Sequence, residues 1–179
     1  SYYTLTQKGV GMETITCNPD AGRTIMGFRD TGYTLNTAVA DIVDNSINAQ
    51  ADNIWIEINQ DPAGSLQIII FDDGYGMDKS ELIDGMRYGS SEKNEGNVLG
   101  RFGLGLKTAS SSICKKLSVV SRKSKSSKLL LARWDLDLVR DKDDWLLQLG
   151  EPEEDYVDLY KDHLTESGTM VCWEKIDRI

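Results

Sequence analysis

The chain has 179 residues, 40% hydrophobic and 27% charged, which is the make-up of a globular domain with one sizeable core and excludes a disordered or fibrous chain. No stretch approaches the ~20 consecutive apolar residues of a membrane span, and the start Ser1-Tyr2-Tyr3-Thr4 lacks the order of a signal peptide, so a cytoplasmic protein without membrane contact is expected. The formal charge of -9 is carried by residues 135–166, where twelve acids face Arg140, Lys142 and Lys161, leaving the remainder neutral.

From Leu35 to Ala51 the apolar residues recur at helical spacing: Leu35, Val39, Ile42, Val43 and Ser46 share one arc, and Asp41, Asp44, Asn45 and Asn48 share the other. Asn53 to Asn59 alternates like a strand, with Ile54, Ile56 and Ile58 expected inward and Trp55 and Glu57 on the second face. Asp61-Pro62-Ala63-Gly64 turns into a strand from Leu66 to Phe71, which makes a hairpin. Asp78 caps a short helix to about Arg87, a Gly/Ser/Asn-rich loop covers Gly89 to Gly100, and a helix opens near Gly103 and runs to Ile113. Further strands are expected at Leu117–Ser121, Leu129–Leu136, Trp145–Leu149 and Thr169–Ile176. Helices placed before and between runs of strands suggest an α+β sandwich, a mostly antiparallel sheet with one helix layer.

Residues 115–128 carry Lys115, Lys116, Arg122, Lys123, Lys125 and Lys128 with no acid among them. A solvated hairpin tip is the favoured explanation, and contact with nucleic acid the weakly supported alternative. Cys17, Cys114 and Cys172 are odd in number, far apart and without metal-ligand spacing. Reduced thiols are therefore expected, with Cys172 packed in a strand.

Three separated motifs each meet a different need of a magnesium-triphosphate pocket. On the polar helix face, Asp41 and Asn45 lie one turn apart and can point at the same space. An amide oxygen at Asn45 suits Mg²⁺, which takes hard oxygen ligands, and Asp41 can orient and deprotonate a water. Asp72 ends the apolar strand and is followed by Gly74, Gly76 and Met77. A carboxylate there can accept from the exocyclic amine of adenine, where guanine offers a carbonyl. The two glycines let backbone approach a flat ring, and Met77 is a polarizable contact for it. Gly100-Arg101-Phe102-Gly103-Leu104-Gly105-Leu106-Lys107 opens a helix of small residues, so its N–H groups can cradle an anion with Arg101 or Lys107 adding charge. The spacing and context fit neither a dinucleotide fingerprint nor a P-loop.

Together these residues resemble the ATP-binding domain of the GHKL superfamily, which includes gyrase B, the ninety-kilodalton heat-shock chaperones, histidine kinases and MutL. The run from Phe28 to Tyr33 into Ala40–Ala49 is most similar to bacterial and MORC-like members, and the resemblance extends from about Thr24 to Ile176. It implies the Bergerat fold, a two-layer α/β sandwich, with ATP and Mg²⁺ as cofactors. Asn45 then corresponds to the metal ligand, Asp72 to the adenine-reading aspartate, and Gly76 and Met77 to the lining of the base. Thr169, after Gly168, corresponds to the hydroxyl that joins the adenine network, and residues 88–105 to a lid. The candidate nucleotide-contacting set is Asn45, Asn48, Asp72, Gly74, Gly76, Met77, Arg101, Phe102, Gly103, Leu104, Gly105, Lys107 and Thr169, with Asp41 catalytic. The chain departs from the family pattern at Asp41, where many members have glutamate, and at Asn48, where many have aspartate. The shorter acid reaches about 1.5 Å less far, so slow hydrolysis is expected.

The expected organisation is a single domain over residues 1–179, with an N-terminal extension over 1–30, as a fragment of a longer protein. The expected function is Mg²⁺-dependent ATP hydrolysis that drives conformational change in a larger protein, with a nucleotide-dependent homodimer as the implied assembly. A histidine-kinase-type catalytic domain and a non-hydrolysing ATP sensor are the alternatives. Asp41 argues against the kinase, and His163, the one histidine, lies in the acidic segment and reads as a surface residue.

Overall fold

A computed structural model describes residues 15–30, 32–88 and 104–178. Among the described residues, six helices and a six-stranded antiparallel sheet build an α+β sandwich, as the sequence suggested. The helices are α1 (Ala21–Gly27), α2 (Leu35–Asn48), α3 (Lys79–Met86), α4 (Leu104–Ile113), α5 (Leu136–Lys142) and α6 (Glu154–His163), with a 3₁₀ turn at Phe28–Asp30. The strands are β1 (Ile54–Gln60), β2 (Leu66–Asp72), β3 (Cys114–Arg122), β4 (Leu130–Asp135), β5 (Gln148–Gly150) and β6 (Gly168–Ile176), in the order β1-β2-β6-β3-β4-β5.

Strand periodicity divides the core in two. Ile68 and Ile70 of β2, Leu117 and Val119 of β3, and Val171 and Trp173 of β6 face the layer built by α1 to α5. Ile69, Phe71, Val120, Met170 and Cys172 face the other way and are covered by Tyr156, Tyr160 and Leu164 of α6 and its end. Both faces of the central strands are thus dry, which explains the unbroken apolar run Ile68-Ile69-Ile70-Phe71. The sequence pattern did not reveal α6, because its first two turns are dominated by acids; the stretch 135–166 folds as α5, β5 and α6. Its charges are in part compensated locally: Asp135 and Asp137 each lie 3.0 Å from Lys175, and Glu153 lies 2.6 Å from Arg133.

Helix ends follow their capping residues. Thr34 accepts from Thr37 N at the start of α2, and Asp78 and Glu81 form a reciprocal capping box at the start of α3. Buried Arg29 holds the start of the chain to both ends of the site layer: its Nε donates to Ser111 O of α4 at 2.8 Å, and its guanidinium forks onto Asp177 beyond β6. Cys114 and Cys172 are buried in β3 and β6, while Cys17 is exposed.

Two expectations need correction. Ile56 and Ile58 are not inward: they are 47% and 65% exposed, because β1 is the sheet edge and the helices do not reach over it. His163 is not a free surface residue either. Its ring lies 4.4 Å from that of Phe71 and 5.3 Å from that of Trp55, and its Nε2 is 2.6 Å from Glu57 Oε1. Spacing along one helix could not show that α6 crosses beneath β1 and β2.

Candidate nucleotide site

Three adjacent strands bring one polar row to the same end of the sheet. In the pairing register Asp72 of β2 faces Thr169 of β6, and Thr169 faces Ser121 of β3. All three lie on the face turned toward the helix layer and are buried, Asp72 to 3% exposure. Ser121 Oγ is 2.9 Å from Thr169 Oγ1, donates to Gly168 O at 3.0 Å and accepts from Met77 N at 2.8 Å. The turn after β2 is thereby stitched to β3 and β6. Among the described residues, Ser121 and Ser46 are the contributors the sequence reading missed, and only the pairing register identifies Ser121.

Asp72 is a carboxylate in a dry place with few donors. Gly74 N donates to its Oδ1 at 3.1 Å, and Ser46 Oγ, on α2, lies 2.9 Å from its Oδ2. Burial pushes its pKa up to about 6, opposed by those two hydrogen bonds, with the charge of Asp73 adding to the rise. The neighbouring Asp73 serves the backbone instead. Its carboxylate accepts from Asp52 N, Asn53 N and Asn53 Nδ2, each at 2.8 Å, and so fixes the passage from α2 to β1.

The glycines are required by close approach. At Gly76, with φ +64°, a Cβ would overlap the carbonyl of Arg122; at Gly168, with φ +140°, it would overlap the carbonyl of Asp72. A Cβ on Gly74 would come 2.7 Å from Ala49 O, the same carbonyl that accepts from Tyr75 N at 3.1 Å. The Asp72–Met77 turn is thus pressed against the end of α2 on one side and β3 and β6 on the other. Met77 is buried in the helix-side core.

On α2, Asn45 and Asp41 are both half-buried and Asn48 is exposed. Asn45 Nδ2 is buried without a hydrogen-bond partner. An amide left unpaired in the interior costs about 1–3 kcal/mol, so this position has hydrogen-bonding capacity that the described residues do not use. Asp41 is the partner of the Tyr33 hydroxyl, whose pKa is raised first by burial and then by that carboxylate. Among the described residues no cluster of three His, Cys, Asp or Glu side chains could cage a metal. Asn45 thus offers one amide group to this face, of the hard-oxygen kind that Mg²⁺ takes when a ligand and water complete its shell.

Lys107 is buried in α4 and its ammonium donates to Arg87 O at the end of α3; burial lowers its pKa. Leu104 and Gly105 begin the same helix. Arg101, Phe102 and Gly103, with most of the expected lid and the N-terminal Tyr2 and Tyr3, lie outside the described residues. A separate apolar recess of about 500 Å³, lined by Phe28, Ile83, Tyr88, Trp134 and Trp145 among others, includes none of Asp41, Asn45, Asp72 or Thr169. The lysines of the basic strip each lie near an acid: Lys115 near Asp177, Lys116 near Glu174, Lys123 near Asp78 and Glu81, Lys125 near Glu166 and Lys128 near Glu151. Arg122 donates to the carbonyls of Thr165 and Glu166, both at 2.8 Å. These cations are thus interleaved with acids rather than clustered on one unopposed basic face.

A buried aspartate at a strand end, glycines closing the turn behind it and an acid-amide helix face above it thus stand together at one end of the sheet. Residues 33–169 match the family model described as histidine kinase-, DNA gyrase B-, and HSP90-like ATPase, and the chain belongs to that family. It is 34% identical to mouse ATPase MORC2B over 101 residues, 54% of this chain and 10% of that protein. Human ATPase MORC2 is 34% identical over 90 residues, 48% of this chain and 9% of that protein, and Arabidopsis thaliana Protein MICRORCHIDIA 6 is 32% identical over 96 residues, 51% and 14%. The matched stretch is thus about a tenth of the length of these relatives. Among the described residues no helix is long and apolar enough to cross a membrane.

Proposed function

We propose that this chain binds ATP with Mg²⁺ and hydrolyses it slowly, driving closure between two copies of a larger protein. The observation that carries this reading is the buried Asp72, set in a row with Thr169 and Ser121 beside a turn that glycine alone allows. A dry carboxylate with two donors still has lone pairs to offer. The exocyclic amine of adenine supplies a donor there, and the carbonyl of guanine would oppose its charge. Met77 and the backbone of Gly74–Gly76 form the surface against which the ring lies.

Above the base, the Asn45 amide turned about its Cβ–Cγ axis presents Oδ1 where the unpartnered Nδ2 now sits, and amide orientation is free to follow the partner. That oxygen would hold Mg²⁺, which when bound neutralises charge on the β- and γ-phosphates. Asp41, one turn earlier on the same face, accepts a proton from a water and directs it toward the γ-phosphorus, with the Tyr33 hydroxyl holding the carboxylate in one orientation. Its side chain reaches about 1.5 Å less far than that of a glutamate, so slow turnover is the expected result. The relatives named as ATPases support hydrolysis over pure sensing, and Asp41 favours it over phosphotransfer to a histidine.

Phosphate release measured with and without Mg²⁺, for the wild type and Asp41→Asn, tests this directly. Mg²⁺-dependent release that the substitution removes supports it. Nucleotide binding without release from the wild type identifies a sensor, and label transfer to an added protein histidine identifies a kinase. A doubled mass that appears only with a non-hydrolysable ATP analogue tests the closure step.

A further inference from the structure

Strand β1 is hydrogen-bonded to β2 along its length, from Ile54 opposite Asp72 to Gln60 opposite Leu66, and to no described strand on its other side. Sheet edges are normally blunted by brevity, proline, lysine or a bulge. The opposite edge follows that rule, since β5 is three residues long. β1 is little protected in this way: Ile54-Trp55-Ile56-Glu57-Ile58-Asn59-Gln60 is seven residues long, has neither proline nor lysine, keeps continuous register, and has one charge, Glu57, whose carboxylate is turned to His163 on the α6 face. Its helix-side face exposes 47% of Ile56 and 65% of Ile58. Isolated exposed apolar residues are ordinary, but two on an unpaired, unprotected edge are not.

We propose that β1 pairs antiparallel with β1 of a second copy of this chain, on a two-fold axis at Ile56, joining two six-stranded sheets into one. The strand is self-complementary about that residue. Pairing there sets Ile56 against its own copy and Ile54 against Ile58 on the helix side, and Trp55 against Glu57 and Asn53 against Asn59 on the other face. No charge meets a like charge. An axis at Glu57 opposes two carboxylates, and an axis at Trp55 sets Ile58 against Asp52; an axis between residues brings isoleucine against the Trp55 and Glu57 face. An axis at Ile58 sets Ile56 against Gln60 and one at Ile54 sets Ile56 against Asp52, so among these registers the axis at Ile56 alone pairs every isoleucine of the strand with isoleucine, a property that pairing with an unrelated partner would not require. The contact is one strand pair wide and needs no nucleotide, which separates it from the closure proposed above.

The test is mass in solution and a symmetric cross-link. Because Cys17 is exposed, cysteine variants are made in a Cys17→Ser background. Directly opposed residues in an antiparallel pair have Cα atoms about 4.5–5.5 Å apart, within disulfide reach. Ile56→Cys should therefore give a disulfide-linked dimer on mild oxidation without nucleotide. Ile58→Cys lies roughly 14 Å from its own copy along the strand and should cross-link at least about tenfold less. Ile56→Lys, at an exposed position where the fold tolerates charge, should abolish the doubled mass that the wild type shows in concentrated, nucleotide-free sedimentation while keeping its melting temperature. A wild type that stays monomeric at every concentration overturns the proposal, as it would if residues 1–14 or another segment of the same chain covered the edge. Equal cross-linking at 56 and 58, or a dimer that survives Ile56→Lys, overturns it too.

Discussion

Ser46 Oγ stands 2.9 Å from Asp72 Oδ2 and 3.2 Å from Ile42 O, so a hydroxyl on α2 and a carboxylate on β2 share one short contact across the helix-sheet interface. The hydroxyl has one hydrogen for two acceptors. Asp72 is therefore held by less than a full complement of donors, and its burial makes the folded state work against its charge.

Asp72→Asn should stabilise the nucleotide-free protein while abolishing adenine recognition. The new amide can donate to Ser46 Oγ, whose hydrogen then serves Ile42 O, while its oxygen still accepts from Gly74 N. Asp72 is raised from 3.8 to about 6, so ionising it in the folded state costs about 3 kcal/mol. The sign is that of a raised acid: the penalty is absent below pH 3.8, grows as pH rises from 3.8 to about 6 and is complete above. The difference in melting temperature between variant and wild type should accordingly widen from pH 4 to pH 7. A difference independent of pH would remove Asp72 as its source.

Adenosine is the cleanest probe of the same group, because it carries no phosphate that titrates nearby. Its affinity should fall as pH drops from 7 through about 6 to 5, as Asp72 takes up a proton and ceases to be a full acceptor. A flat profile by titration calorimetry would place the adenine amine elsewhere.

Asp41→Asn should keep ATP binding within about twofold and lower turnover by at least ~100-fold, the range a general base supplies. Tyr33→Phe should lower turnover less, since it frees the Asp41 orientation and leaves its charge. Turnover within about twofold of wild type for Asp41→Asn would end its catalytic assignment.

Asn45→Ala should erase the Mg²⁺ dependence of ATP affinity. Thermal stability without ligand should hold or rise, because the buried Nδ2 it removes has no partner among the described residues. A clear loss of stability without ligand would mean the amide serves the fold rather than the cation.

Gly76→Ala should destabilise by on the order of 3 kcal/mol, since it combines a positive φ with overlap onto the Arg122 carbonyl. In a domain of this size that lowers the melting temperature by roughly 10 °C. Gly27→Ala, where a Cβ meets nothing within 4 Å, is the matched control and should be neutral.

Much of this site was legible in the chain because its chemistry is local. Asp41 and Asn45 are one helical turn apart, and Asp72, Gly74, Gly76 and Met77 fall within one short turn, so period and turn chemistry disclosed them. The capping box at Asp78 was legible for the same reason. Ser121 and Thr169 lie 48 residues apart in sequence and meet through strand register, while Ser46 reads as part of an apolar arc until Asp72 is set opposite it. The inward expectation for Ile56 and Ile58 failed because alternation reports which side chains share a face; whether that face is covered depends on the strand's place in the sheet. Likewise, α6 carries acids at Glu154, Asp155, Asp158 and Asp162, and its two buried tyrosines, Tyr156 and Tyr160, gain meaning once the second face of the sheet is known.

The most direct measurement is titration calorimetry of the wild-type domain with non-hydrolysable ATP and GTP analogues in Mg²⁺. The expected result is saturable binding of the ATP analogue and at least about tenfold weaker binding of the GTP analogue, a difference of about 1.4 kcal/mol. Equal affinities, or no binding of the ATP analogue at all, would contradict the assignment of Asp72 as the reader of adenine.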